Sequence, residues 1–176
     1  MIYDTTRNIT WLANMNTNGG MQWGEAVAWA DNLVHGGFSN WRLPTLIPAD
    51  ASCTGAFGMG CTGGELSGLF VTELGNKPYE SVLNPVGDTV EQIANLALFS
   101  NVQVSYYWSG QDSGGSEAWN FWTGYGQQED DAKNYLAYAV AVRPGDVTAS
   151  VPEPQTLALA LLALGATVVA RRRRPA

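Results

Sequence analysis

Apolar and polar positions along the chain group into short elements rather than one long repeat. Residues 1–12 alternate loosely, with Ile2, Tyr3, Ile9, Trp11 and Leu12 set among polar neighbours, and predict two short strands about a turn at residues 4–8. Residues 14–20, Asn-Met-Asn-Thr-Asn-Gly-Gly, read as a polar loop. Across residues 23–34, Val27, Ala30, Leu33 and Val34 recur at helical spacing, with Ala26 and Trp29 widening the apolar face. Glu25 suits the positive end of that helix, and His35-Gly36-Gly37 is expected to close it. His35 is then a helix-terminal residue rather than a ligand or base. Residues 40–45 read as a short strand entering a turn, because the residue before Pro44 is biased to extended backbone. A glycine-rich loop fills residues 46–64. Residues 65–74 predict a second helix, with Leu66, Leu69, Phe70 and Leu74 on one side and Gly75-Asn76-Lys77-Pro78 as its stop. Residues 79–95 show no clean period and read as loop. Residues 96–104, 106–109 and 118–125 are expected strands, with a turn at 110–116. Residues 127–133 are polar and acidic and read as loop; 134–143 alternate Tyr, Ala and Val and read as a closing strand.

The pattern changes at the C-terminus. Val151-Pro152-Glu153-Pro154 precedes an uncharged, Ala- and Leu-rich run over residues 156–170, and Arg171, Arg172, Arg173 and Arg174 follow it. As a helix the run spans roughly 23 Å at about 1.5 Å per residue. The hydrocarbon core of a bilayer is about 30 Å thick. The run is therefore short for a permanent span and suits a removable anchor, its arginines held on the cytoplasmic side. The expected organisation is a domain at 1–146, a linker at 147–154, a membrane helix at 155–170 and a cytoplasmic Arg-rich tail at 171–176.

Charge narrows the function classes. Residues 1–150 carry five basic side chains (Arg7, Arg42, Lys77, Lys133, Arg143) against fifteen acidic ones, and the whole chain is −7. Nucleic-acid binding rests on basic surface, so no nucleic-acid partner is expected. Cys53 and Cys61 sit in the glycine-rich loop. A disulfide is the favoured reading, with free thiols and a metal pair as alternatives. The spacing is not that of a zinc site and His35 is the single histidine, so neither metal nor cofactor is expected. Trp108, Trp119, Trp122 and Tyr125 are the candidate ligand-binding rings, with core packing as the competing role.

The C-terminal pattern resembles the PEP-CTERM sorting signal of Gram-negative bacteria. The resemblance implies export, recognition by a membrane exosortase, and processing near Pro152-Glu153-Pro154, after which the protein resides in the periplasm, at the cell surface or in an extracellular polysaccharide matrix. Met1 to Arg7 holds no apolar leader, so export is expected to rely on a signal peptide encoded upstream of Met1. Within residues 2–146, Trp41-Arg42-Leu43-Pro44-Thr45, Tyr107-Trp108-Ser109, Trp119-Asn120-Phe121 and Ala141-Val142-Arg143 resemble the Lcl C-terminal domain family. That resemblance implies an α+β, C-type-lectin-like or formylglycine-generating-enzyme-like domain with two helices and small antiparallel sheets. Trp41, Arg42, Leu43, Pro44 and Arg143 would be its structural motif residues. Founding members are associated with glycans, which makes an exopolysaccharide or other surface glycan the expected partner. Two family chemistries do not carry over. Trp119-Asn120-Phe121 lacks the carboxylate of a calcium-lectin triplet, and no cysteine follows Cys61. The expected function is a non-enzymatic surface or matrix protein that binds carbohydrate; a ligand-free scaffold and a glycan-active enzyme are the alternatives.

Overall fold

A computed structural model describes residues 1–147. Contacts divide the chain into Met1–Asp146 and Val147–Ala176. In the first unit, β1 (Ile2–Asp4), β2 (Ile9–Trp11) and β6 (Val142–Pro144) form one antiparallel sheet in the order β1-β2-β6, and β3 (Tyr106–Gly114), β4 (Glu117–Trp122) and β5 (Gln127–Ala132) form a second in the order β3-β4-β5. Three short α-helices, α1 (Trp23–Asp31), α2 (Glu65–Ser67) and α3 (Val90–Leu96), complete the unit, and α2 runs directly into a π-helical turn, Gly68–Glu73.

The fold class read from the sequence needs correcting. The described residues form mainly small antiparallel sheets with few helices, a loosely α+β arrangement, in place of the two-helix lectin-like domain with a C-terminal membrane helix. No helix among them is long and apolar enough to cross a membrane. The run expected to form that helix, 155–170, lies outside the described residues.

Local differences have local causes. In α1 the Glu25 carboxylate reaches back to the Gln22 amide (3.1 Å), capping the start. The helix ends at Asp31 because the Asn32 side-chain amide folds back onto the Ala28 carbonyl (2.7 Å), and Val34 is exposed, so no burial drives another turn. His35 lies beyond the helix, in a turn where it pairs with Phe38. Residues 79–95 are not all loop. Thr89 and Gln92 form a reciprocal capping box that starts α3, which has no buried residue and docks through amides instead. Gln92 donates to the Thr72 carbonyl and Asn95 to the Glu73 carbonyl, filling acceptors at the end of the π turn. The expected strand at 96–104 is absent. β3 runs through the expected turn at 110–116 with two register shifts, and the chain reverses at Gly114-Gly115. The acidic stretch expected to be loop is β5, fully paired with β4.

Residues 134–143 do not make one strand. Residues 137–142 form an extended strap through the interior, of which only Val142 onward joins a sheet. Ala137, Ala139, Val140, Ala141 and Val142 are all buried. Around the strap lie Trp11, Trp108, Tyr107, Leu66, Leu74 and Phe70, the last stacked on Phe121 at 5.2 Å.

Arg42 and Glu65 lock α2 to this core. The guanidinium meets the carboxylate through two 2.7 Å bonds and also donates to the Leu43 carbonyl, while the Thr45 amide donates to Glu65. Burial pushes the Glu65 carboxyl up, but Arg42 and Thr45 outweigh it and hold the group below its ordinary value. A depressed folded-state value stabilises above the unfolded value, near 4.5, and is lost as pH falls through the folded one. Glu65→Gln should therefore lose roughly 1–2 kcal/mol near neutrality, moderated by solvent at half-exposed Arg42, and should flatten the acid limb of a urea-midpoint profile. Phe70→Ala should cost about 3–5 kcal/mol in the same assay, since a fully buried stacked ring leaves a cavity.

Candidate functional site

One end of a face of the β3-β4-β5 sheet, at the Tyr106–Trp122 pair, carries the candidate site. Register places Tyr106 opposite Trp122 and Trp122 opposite Gln127; the next row on that face is Trp108, Asn120 and Glu129. Trp122 stacks on Tyr106 (5.2 Å between ring centroids) and on Tyr125 (4.7 Å). Tyr79 meets Tyr125 edge-on at 5.2 Å, and Tyr135 meets Tyr106 edge-on at 5.5 Å. The result is a continuous ladder, Tyr79–Tyr125–Trp122–Tyr106–Tyr135, drawn from four separate places in the chain. Its inner rings are half-buried, while Tyr79 (63% exposed) and Tyr135 (47%) stand in solvent. The hydroxyls of its four tyrosines take no hydrogen-bond partner among the described residues.

The four rings singled out from sequence separate. Trp122 and Tyr125 belong to the ladder. Trp108 is fully buried, its indole nitrogen donating to the Met21 carbonyl (2.9 Å). Trp119 projects from the opposite face of β4 and packs against the core. Tyr79, Tyr106 and Tyr135 were not legible as ladder members, because only the sheet register and two loops bring them together.

Glu129 and Asp131 share the ladder's face of β5 and neither has a basic partner among the described residues. Burial, then Asp131 and Asp130, pushes the Glu129 carboxyl up. Burial, then Glu129 and Asp131, pushes the Tyr106 hydroxyl up to about 12, keeping it a neutral donor. The five cations of the domain are committed elsewhere. Arg7 pairs with Asp4 and Glu73, Arg42 with Glu65, Lys77 with Asp88, and Lys133 with Asp112. Arg143 donates to Asn40 (2.8 Å) and lies over the Phe38 ring. Trp41, Leu43 and Pro44 are buried, so the Trp-Arg-Leu-Pro stretch lies in the framework and not on the ladder.

Cys53 and Cys61 form a disulfide. Asp50 lies close to both sulfurs, but the sulfurs are bonded to each other and its carboxylate accepts the Ser52 and Gly63 amides. This cluster is closed to a metal. A pocket of about 190 Å³ lies beside β1, the π turn and α3; two of its carboxylates, Asp4 and Glu73, are already held by Arg7.

The remaining predicted residues, Val151 to Pro154 and Arg171 to Arg174, lie outside the described residues and are identified by sequence. Residues 150–174 match the PEP-CTERM protein-sorting motif. A PEP-CTERM motif directs its carrier to exosortase, so this chain carries the signal of an exported, exosortase-targeted protein. The match covers the tail and leaves the domain unassigned. Comparison with curated proteins finds no match to the chain. Replacing Pro152, Glu153 and Pro154 of this PEP-CTERM stretch with alanine should abolish processing in an exosortase-containing host, seen on an immunoblot as accumulation of the uncleaved form; unchanged processing would remove the motif from recognition.

Proposed function

We propose that the domain is a non-enzymatic carbohydrate-binding module, displayed at the cell surface or in the extracellular matrix after exosortase processing. The observation that carries this reading is the ladder Tyr79–Tyr125–Trp122–Tyr106–Tyr135. Aromatic rings offer apolar area for the C–H faces of a sugar together with a polar tip. Here Trp122 is covered on its faces by Tyr106 and Tyr125, so the strip offers ring edges and the exposed rings of Tyr79 and Tyr135, held in place before any ligand arrives, which lowers the entropic cost of binding. Four uncommitted hydroxyls along the strip supply donors and acceptors for a polyhydroxylated partner. The ladder is a row of five rings in contact, an arrangement that suits a chain-like ligand. The resemblance of the Trp41–Thr45 region to the Lcl C-terminal domain family adds support, since glycan association accompanies that family. Commitment of all five domain cations argues against a polyanionic glycan.

A glycan array and a pull-down with exopolysaccharide from a PEP-CTERM-bearing bacterium test the reading. Binding should weaken about fivefold in Trp122→Ala and in Tyr135→Ala, in line with roughly 1 kcal/mol per lost aromatic contact. Tyr135 is exposed, so its variant should keep the parent thermal midpoint. A flat array, together with no retention of the exopolysaccharide, would leave the domain as a scaffold.

A further inference from the structure

The ladder reading leaves open what sets the ligand's charge. We propose that the ladder takes an ammonium-bearing glycan, a polymer of hexosamine units with free amino groups, held with those groups toward Glu129 and Asp131. The inference rests on the ladder being a glycan site and adds the chemical class of its ligand.

Three observations converge on it. The first is position. Glu129 lies on the ladder's face of the sheet in the row next to Tyr106 and Trp122, and Asp131 lies one row beyond it. The second is an uncompensated surplus of acceptors. Asn120 is fully buried between Trp108 and Glu129 in the register. Its amide is turned to Asp131, to which Nδ2 donates (2.9 Å), while its own Oδ1 has no donor. Two carboxylates and an orphaned carbonyl oxygen thus gather where the described residues supply one amide donor. Buried acceptors are ordinarily matched by donors; the enclosed Asn120 oxygen is not, and the part-exposed carboxylates beside it are the acceptors open to a donor from outside. The third is the absence of internal competition, since every cation of the domain is paired or stacked elsewhere.

An ammonium group satisfies all three conditions. It brings three donors and no acceptor, its charge offsets the carboxylates, and it is attracted to the faces of Tyr and Trp rings. A neutral hexose leaves the carboxylate pair uncompensated. A uronic or sulfated polymer meets like charge, which disfavours association.

Isothermal titration of the full-length protein with a glucosamine hexamer and an N-acetylglucosamine hexamer, at a pH that keeps the amines protonated, decides the matter. The deacetylated hexamer should bind about tenfold tighter, with a preference that shrinks as salt rises. Glu129→Gln with Asp131→Asn should erase the preference while leaving the weaker binding of the acetylated hexamer in place. Asp31→Asn with Glu91→Gln, which removes the same charge away from the ladder, should leave the preference intact. Equal binding of the two hexamers, or equal loss of preference in both double variants, overturns the amino-sugar assignment. So does failure of both hexamers while another glycan binds in a Trp122-dependent way, an outcome in which the ladder reading stands. If no glycan binds at all, both readings fall.

Discussion

The fold depends on a short piece of backbone that has no room to be wrong. Residues 137–142 pass through the interior with nearly every side chain buried, so their amides and carbonyls must find partners inside the protein. They find them in separate elements. Ala137 exchanges bonds with Met21, and Tyr138 donates to Tyr106 and accepts from Trp108. The Ala141 carbonyl receives the Leu12 amide, and Val142 exchanges bonds with Arg42 before pairing with β2. One extended segment thus joins both sheets, the start of α1 and the Trp-Arg-Leu-Pro stretch. The three alanines, Ala137, Ala139 and Ala141, let neighbouring backbones approach closely enough for those bonds. The same segment delivers Tyr135, just before the strap, to the end of the aromatic ladder.

What could be read from the sequence follows from how each element is held. Elements with an apolar period were found where they fall: β1 and β2, the start of α1, the buried side of residues 65–74, and β4. Elements held by polar contacts were not. α3 buries no residue and docks by Gln92 and Asn95, so its signal was the Thr-x-x-Gln cap at residues 89–92 and not a stripe of leucines. β5 is written Gln-Gln-Glu-Asp-Asp-Ala, and its strand state comes from β4 beside it rather than from propensity. The strap looked like a strand because buried extended backbone and a paired strand share a composition. The candidate site was half legible for the same reason: Trp122 and Tyr125 lie three residues apart at one turn, whereas Tyr79, Tyr106 and Tyr135 reach them through register and loop placement.

The distribution of charge connects framework to site. With so few cations, each is committed to specific carboxylates or to a ring, and three acids with no basic partner among the described residues, Glu129, Asp130 and Asp131, lie in succession on β5. The Arg42–Glu65 pair has a structural job, tying α2 and the π turn to the residues around the strap. Glu129 and Asp131 have none of that kind. The domain is therefore electrically quiet where it is held together and strongly negative beside its aromatic strip. Its C-terminal PEP-CTERM motif addresses it to exosortase and to the outside of the cell.

The cysteine loop bears on that destination. Gln128 donates its amide to the Gly58 carbonyl, and Gly60 to Gly126, so the loop lies along the start of β5 as an extra, irregular strand. The fit is close: a Cβ on Gly58 would sit 2.2 Å from the Gln128 carbonyl oxygen, and its φ of +75° suits glycine alone. An open sheet edge is a template for joining other chains. The Cys53–Cys61 bond closes this cover, contributing about 2–3 kcal/mol by restricting the unfolded loop. Oxidising surroundings are where such bonds persist. The start of that edge is thus covered by a loop whose closing bond is favoured in the surroundings to which an exosortase-targeted protein is sent.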